Sequence, residues 1–154
     1  MANMAGGTRF ILTIIAAALL GGSLTACNPL SSPPPGVYVV VDRAAQEISL
    51  GAAGDVLAEN HYGGAVLGDS ATYVVTLGGG TAPGAVEEAL TKAAYVHDLE
   101  AESQSRWVGL SDGHDVEITV MRLEAGDTAS LGNKSFKMPQ DGVVVWVQAP
   151  NLEE

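Results

Sequence analysis

Apolar and polar positions change their spacing several times along this chain, and each change predicts an element. The first apolar run, Phe10 to Leu20, carries no charge and stops at Gly21-Gly22-Ser23. A Pro- and Ser-rich stretch, 28–36, separates it from Val37-Tyr38-Val39-Val40-Val41, whose unbroken β-branched character predicts a buried strand. Glu47-Ile48-Ser49-Leu50 alternates and is expected to be its hairpin partner. Residues 51–69 are Gly-rich with no clear period, with a short helical turn expected near Val56-Leu57-Ala58. Thr72 to Leu77 predicts a second strand. Thr81-Ala82-Pro83 then reads as a helix start, with Glu87 and Glu88 in its early turns. Val86, Ala89, Leu90, Ala93 and Val96 follow at helical spacing, predicting one amphipathic helix to about Glu102.

Arg106 to Leu110 and Val116 to Met121 flank Ser111-Asp112-Gly113-His114-Asp115, the pattern of a hairpin closed by an Asp-Gly turn. Val143 to Val147 predicts a last strand before Pro150 and an acidic tail. One main amphipathic helix on a mostly antiparallel sheet is an α+β fold. No internal repeat is visible.

Composition narrows the function classes. The 154 residues suffice for one ordinary domain, and 47 % hydrophobic against 16 % charged residues allows a packed core. The formal net charge is −11, with seven scattered Lys and Arg, so phosphate neutralisation and nucleic-acid binding are excluded as a main role. The same charge repels anionic headgroups, so attachment to a membrane must come from another source. A single cysteine, Cys27, rules out an intramolecular disulfide.

The position of that cysteine accounts for it. Arg9, the only basic residue before position 43, precedes the apolar run, and the Gly/Ser break leads to Leu24-Thr25-Ala26-Cys27. A basic start, a short apolar stretch and small residues at a cut site are the parts of a secretory signal peptide. An apolar run of about eleven residues is too short to span a bilayer as a helix. Leu24-Thr25-Ala26-Cys27 resembles the lipobox of bacterial lipoproteins. The resemblance covers residues 1–27 and nothing beyond. It implies that signal peptidase II recognises Leu24, Thr25 and Ala26, and that Cys27 receives diacylglycerol and becomes the new N-terminus. Two or three acyl chains on one residue hold a protein on a membrane, where a single chain does so only marginally. Competing readings are an uncleaved transmembrane helix over 10–26 and an ordinary secretory signal cut elsewhere. No Arg-Arg pair precedes the apolar run, which favours the general secretory route. The expected organisation is a signal peptide (1–26), a lipidated Cys with a stiff Pro/Ser linker (27–36), a globular domain (37–150) and an acidic tail (151–154).

Other motifs weigh little. Gly78-Gly79-Gly80-Thr81 lies between a strand and a helix, yet Ala82-Pro83-Gly84 stands where a P-loop needs Gly-Lys-Ser/Thr. His61, His97 and His114 fall in three separate segments, unlike the close spacing of zinc ligands. His97-Asp98 with Glu100 and Glu102, and Asp112 with His114 and Asp115, are acidic enough for loose cation contacts, without an EF-hand order of ligands. No Gly-x-Ser-x-Gly elbow is present. Trp107 and Trp146 lie within apolar strands and are expected in the core. No catalytic, cofactor or metal residues are therefore assigned. The expected function is a non-enzymatic envelope lipoprotein, anchored through Cys27 on the extracytoplasmic face and contacting an envelope partner. A surface-anchored hydrolase acting on cell-wall or exogenous material is the alternative. An exposed apolar patch would favour the first, and a concave pocket of convergent polar groups the second.

Overall fold

The computed structural model describes residues 36–64 and 69–149. The expected signal peptide, Cys27, most of the linker and the acidic tail lie outside the described residues. The fold is α+β. Two helices, α1 (Val39–Ile48) and α2 (Ala82–Lys92), accompany eight strands: β1 (Asp55–Tyr62), β2 (Ala71–Gly78), β3 (Val96–Ala101), β4 (Gln104–Ser111), β5 (His114–Leu123), β6 (Thr128–Leu131), β7 (Lys134–Lys137) and β8 (Gly142–Ala149). Six strands form one sheet in the order β1-β2-β8-β5-β4-β3, and every neighbouring pair is antiparallel. The β6–β7 hairpin forms a separate two-stranded sheet. No described helix is long and apolar enough to cross a membrane.

Strands β2 and β8 are interior neighbours in the sheet, and cover on both of their faces explains why their sequences are largely apolar. Val75, Leu77, Val143, Val145 and Val147 point to the helices, while Val74 and Val144 point to the hairpin. Covered on both faces, such strands lose the alternation that marks a half-buried one. On the helix side, Val41, Ala44, Ile48, Val86 and Leu90 meet Ile118 and Val120 in the main core. Complete burial of a side chain such as Leu90 or Ile118 contributes about 1.5–3 kcal/mol. On the opposite side, Ala129 and Leu131 of β6 pack on Val74 and Val144 in a smaller core.

Four sequence expectations fail, each for a physical reason. The expected strand Val37–Val41 begins α1 instead. Val40, Val41, Ala44 and Ile48 are buried on one helical stripe, whereas Asp42, Arg43 and Glu47 lie away from it. An unbroken apolar run of five residues carries no period, so the helix is readable only from the residues after it. Its expected hairpin partner, Glu47–Leu50, forms the helix end and a single 3-10 turn, with Ser49 left-handed at φ 58°. The helical turn expected at Val56–Ala58 is part of β1, an edge strand whose polar residues obscure its alternation. A bulge between Val56 and Ala58 breaks the period further.

Helix α2 stops ten residues before its expected end. Ala94 takes φ 63°, the Ala94 N–H donates to the Thr91 carbonyl (3.1 Å), and the Tyr95 N–H donates to the Leu90 carbonyl (3.0 Å). This is a Schellman ending with alanine in the place usually held by glycine. Val96 consequently lies on β3 rather than on the helix. The Asp-Gly hairpin forms as expected: Asp112 and Gly113 both have positive φ, as a type I′ turn requires.

Candidate functional site

The two faces of the sheet are covered unequally. Helices α1 and α2 cover one; on the other, the short β6–β7 hairpin lies over β1 and β2. Its end is fixed by the Asn60 side chain, whose Nδ2 donates to the Leu131 carbonyl (2.8 Å). Gly132 packs so closely on Tyr62 that a Cβ there would stand 2.6 Å from the ring. Met121 and Leu123 of β5 still pack against the hairpin-side core, whereas the β3–β4 part of this face has no comparable cover among the described residues.

Register shows which side chains occupy it. One row crosses the sheet as Tyr62, Thr72, Gln148, Glu117, Val108 and Val96; the next residues along pair Leu110 with Asp115. Leu99 pairs with Arg106 on the same face. Val96 is 64 % exposed, Leu99 52 %, Val108 37 % and Leu110 64 %. Isolated exposed aliphatic residues are ordinary, whereas four on two adjacent strands form a patch. An open depression of about 610 Å³ adjoins it, lined among others by Val108, Leu110, Asp115, Glu117, Ser70 and Gln148.

Polar groups around the patch differ in whether they are paired. Arg106 is held by Asp98, its Nε donating to Oδ2 at 2.8 Å. The Gln148 amide donates to Thr72 Oγ1 at 3.4 Å. Asp115 and Glu117 enter no hydrogen bond or ion pair among the described residues. The patch is thus apolar at its centre and negative at one border.

A second polar cluster sits at the opposite edge, on the helix side. His61 of β1 lies between the rings of Tyr38 and Tyr73, with centroid separations of 4.9 and 4.8 Å. Its Nε2 stands 2.6 Å from Asp42 Oδ1 of α1. The Tyr73 hydroxyl donates to Glu59 (2.7 Å), and burial followed by that carboxylate raises its pKa well above the usual tyrosine range. Tyr38 donates to the Gly63 carbonyl at 3.0 Å. The arrangement ties α1 to β1; beside the imidazole stand tyrosine hydroxyls already engaged as donors.

The residues singled out by sequence are dispersed. His61, His97 and His114 lie on β1, β3 and β5; the His97 ring packs tilted against Trp107, with centroids 4.8 Å apart. Asp98 is committed to Arg106, and Asp112 pairs with Arg43 at 2.5 Å. No group of three His, Cys, Asp or Glu side chains able to hold a metal occurs among the described residues. Gly78–Thr81 makes a plain strand-to-helix connection, with the Gly79 N–H donating to the Asp141 carbonyl (2.9 Å). Trp107 packs on the helix-side core and Trp146 on the hairpin-side core, both only partly buried. Leu24, Thr25, Ala26 and Cys27 lie outside the described residues.

Sequence reasoning missed two features. The patch is hidden in the sequence because a helix read on to about Glu102 carries Val96 and Leu99 with it. Tyr95 is 5 % exposed, its hydroxyl has no partner, and burial followed by the nearby Glu47 pushes its pKa up to about 12. Comparison with known proteins finds no matching family model, no matching curated protein and no matching solved structure.

Proposed function

We propose that this chain is a lipid-anchored lipoprotein of the bacterial envelope, held through Cys27 on the extracytoplasmic face, and that its domain is a non-enzymatic docking module. The lipobox resemblance of Leu24-Thr25-Ala26-Cys27 supports the anchor. The observation that carries the docking role is the patch of Val96, Leu99, Val108 and Leu110 on the half of the sheet the hairpin leaves bare. A domain with a complete core on both sides of its central strands has no folding need for these side chains to be aliphatic, so their apolar surface is available to a partner.

The Asp42–His61 pair favours the second reading, a surface-anchored hydrolase. A carboxylate-oriented imidazole activates a nucleophile only when a serine, cysteine or water stands at its free nitrogen. Here the neighbouring hydroxyls are the engaged Tyr38 and Tyr73, and the docking reading accounts for more of the surface.

Site-specific photo-cross-linking in the native envelope tests it. A photoreactive side chain at Leu99 is expected to yield a discrete adduct, and one at Lys92 on α2 is expected to yield none. Identical adducts from both positions, or an adduct at Lys92 alone, would contradict the proposal.

A further inference from the structure

We propose that the bare half of the sheet receives a polypeptide segment carrying both aliphatic and basic side chains, the basic ones meeting Asp115 and Glu117; this rests on the docking role above. The mode of contact comes first. Strand β3 is an edge and all six of its residues are exposed, which is the arrangement that strand addition uses. However, β3 is bulged between His97 and Leu99 and carries Asp98 and Glu100, and β1 at the other edge is bulged between Val56 and Ala58. Bulges and charges on edge strands block strand addition. Among the described residues, the face rather than the edge is the open surface.

Charge then selects the occupant. Any partner that covers Val108 and Leu110 also covers Glu117 and Asp115, their direct cross-strand neighbours. Those neighbours stand roughly 4.5–5.5 Å apart across an antiparallel pair. Removing a carboxylate from water without a partner is strongly unfavourable. Arg106, the basic residue of β4 on this face, is already held by Asp98 and cannot supply compensation without breaking that pair. The occupant must therefore bring its own cations. An anionic bilayer surface lacks them. A second copy in a two-fold dimer would set Asp115 and Glu117 against the same acidic face, with a net charge of −11 on each chain. The aliphatic requirement follows from Val96, Leu99, Val108 and Leu110. A surface spread over two strands, with an open depression beside it, suits a polypeptide segment better than an enclosed small molecule.

The test uses the full chain purified in non-ionic detergent and short peptides repeating Lys-Leu-Val, Glu-Leu-Val or Lys-Ser-Gly. The Lys-Leu-Val peptide is expected to bind at least about tenfold more tightly than the other two. The double variant Asp115→Asn/Glu117→Gln should lose about tenfold of that affinity, as should Leu110→Ser or Leu99→Ser, whereas Glu88→Gln on α2 should change nothing. Equal binding of the Glu-Leu-Val peptide, or wild-type affinity in the carboxamide double variant, overturns the inference. If Leu110→Ser and Leu99→Ser then weaken both aliphatic peptides alike, the docking reading survives without its charge selectivity. If no peptide senses either leucine variant, both fall. A dimer in sedimentation, or binding to anionic vesicles, that is lost in Leu110→Ser identifies a different occupant and likewise overturns the inference.

Discussion

Gly109→Ala offers a sharp test of the packing. Gly109 lies on β4 opposite Val116, with the Tyr95 ring laid over it from the helix side. A Cβ at this position would stand 2.6 Å from Cδ1, 2.9 Å from Cε1 and 3.1 Å from Cγ of that ring. Ordinary carbon contacts begin near 3.5 Å, so the ring must retreat by about 1 Å. It is only 5 % exposed and has little room to do so. Overpacking of this kind costs about 1–3 kcal/mol. Replacing glycine restricts the unfolded chain and returns about 0.4–1 kcal/mol, with no backbone strain because Gly109 is outside the positive-φ region. The net expectation is a loss of about 1–2 kcal/mol, seen as a lower urea midpoint at unchanged slope. In a Tyr95→Leu background the same substitution should be neutral or stabilising, a coupling between the two sites of about 1–3 kcal/mol. A Gly109→Ala protein as stable as the parent, or additive losses in the double variant, would show that the ring does not lie on this glycine.

Tyr95 also gives the fold an alkaline limit. Its pKa is raised from the usual 10 to about 12, so between these values the unfolded chain releases the proton and the native chain keeps it. Stability present below about pH 10 should therefore fall as pH rises toward 12, by at most about 1.4 kcal/mol per pH unit from this group. Tyr95→Phe should flatten part of that fall, and at neutral pH should be harmless because the hydroxyl has no partner. Parallel unfolding curves for the two proteins from pH 9 to 11.5 would refute this. Ala94→Gly should stabilise by about 0.5–1 kcal/mol in thermal unfolding, since it relieves an alanine held at φ 63°; a loss of stability would count against the helix ending described. Cys27→Ser should move the protein from the detergent-extracted membrane fraction to the soluble fraction, and persistence in the membrane would contradict the anchor.

What could be read from sequence follows from how each element is buried. The Thr72–Leu77 and Val143–Val147 strands were legible because both of their faces are covered and their residues are almost all β-branched, aromatic or aliphatic. The hairpin at Asp112-Gly113 was legible because its turn demands residues that tolerate positive φ. Helix α1 was not, because Val37–Val41 satisfies a strand and a helix equally and only the later Ala44 and Ile48 decide. The end of α2 was concealed by an alanine doing what glycine normally does. That one misreading carried Val96 and Leu99 onto the wrong element and hid the patch. Asp115 and Glu117 alternate with buried Val116 and Ile118, so their outward direction was readable. How much of this outer face the described residues cover depends on how far β6–β7 reaches, and no local pattern encodes that. The Asp42–His61 pair joins residues 19 apart on different elements and is equally a product of the fold.

The central claim, a docking domain held to a membrane by lipid on Cys27, is tested most directly by intact-mass analysis of the protein isolated from its native envelope. The account predicts a polypeptide beginning at Cys27 and heavier than its amino-acid sequence by a diacylglyceryl group, with or without a third acyl chain. A mass that includes Met1, or that corresponds to an unmodified thiol at Cys27, would contradict it.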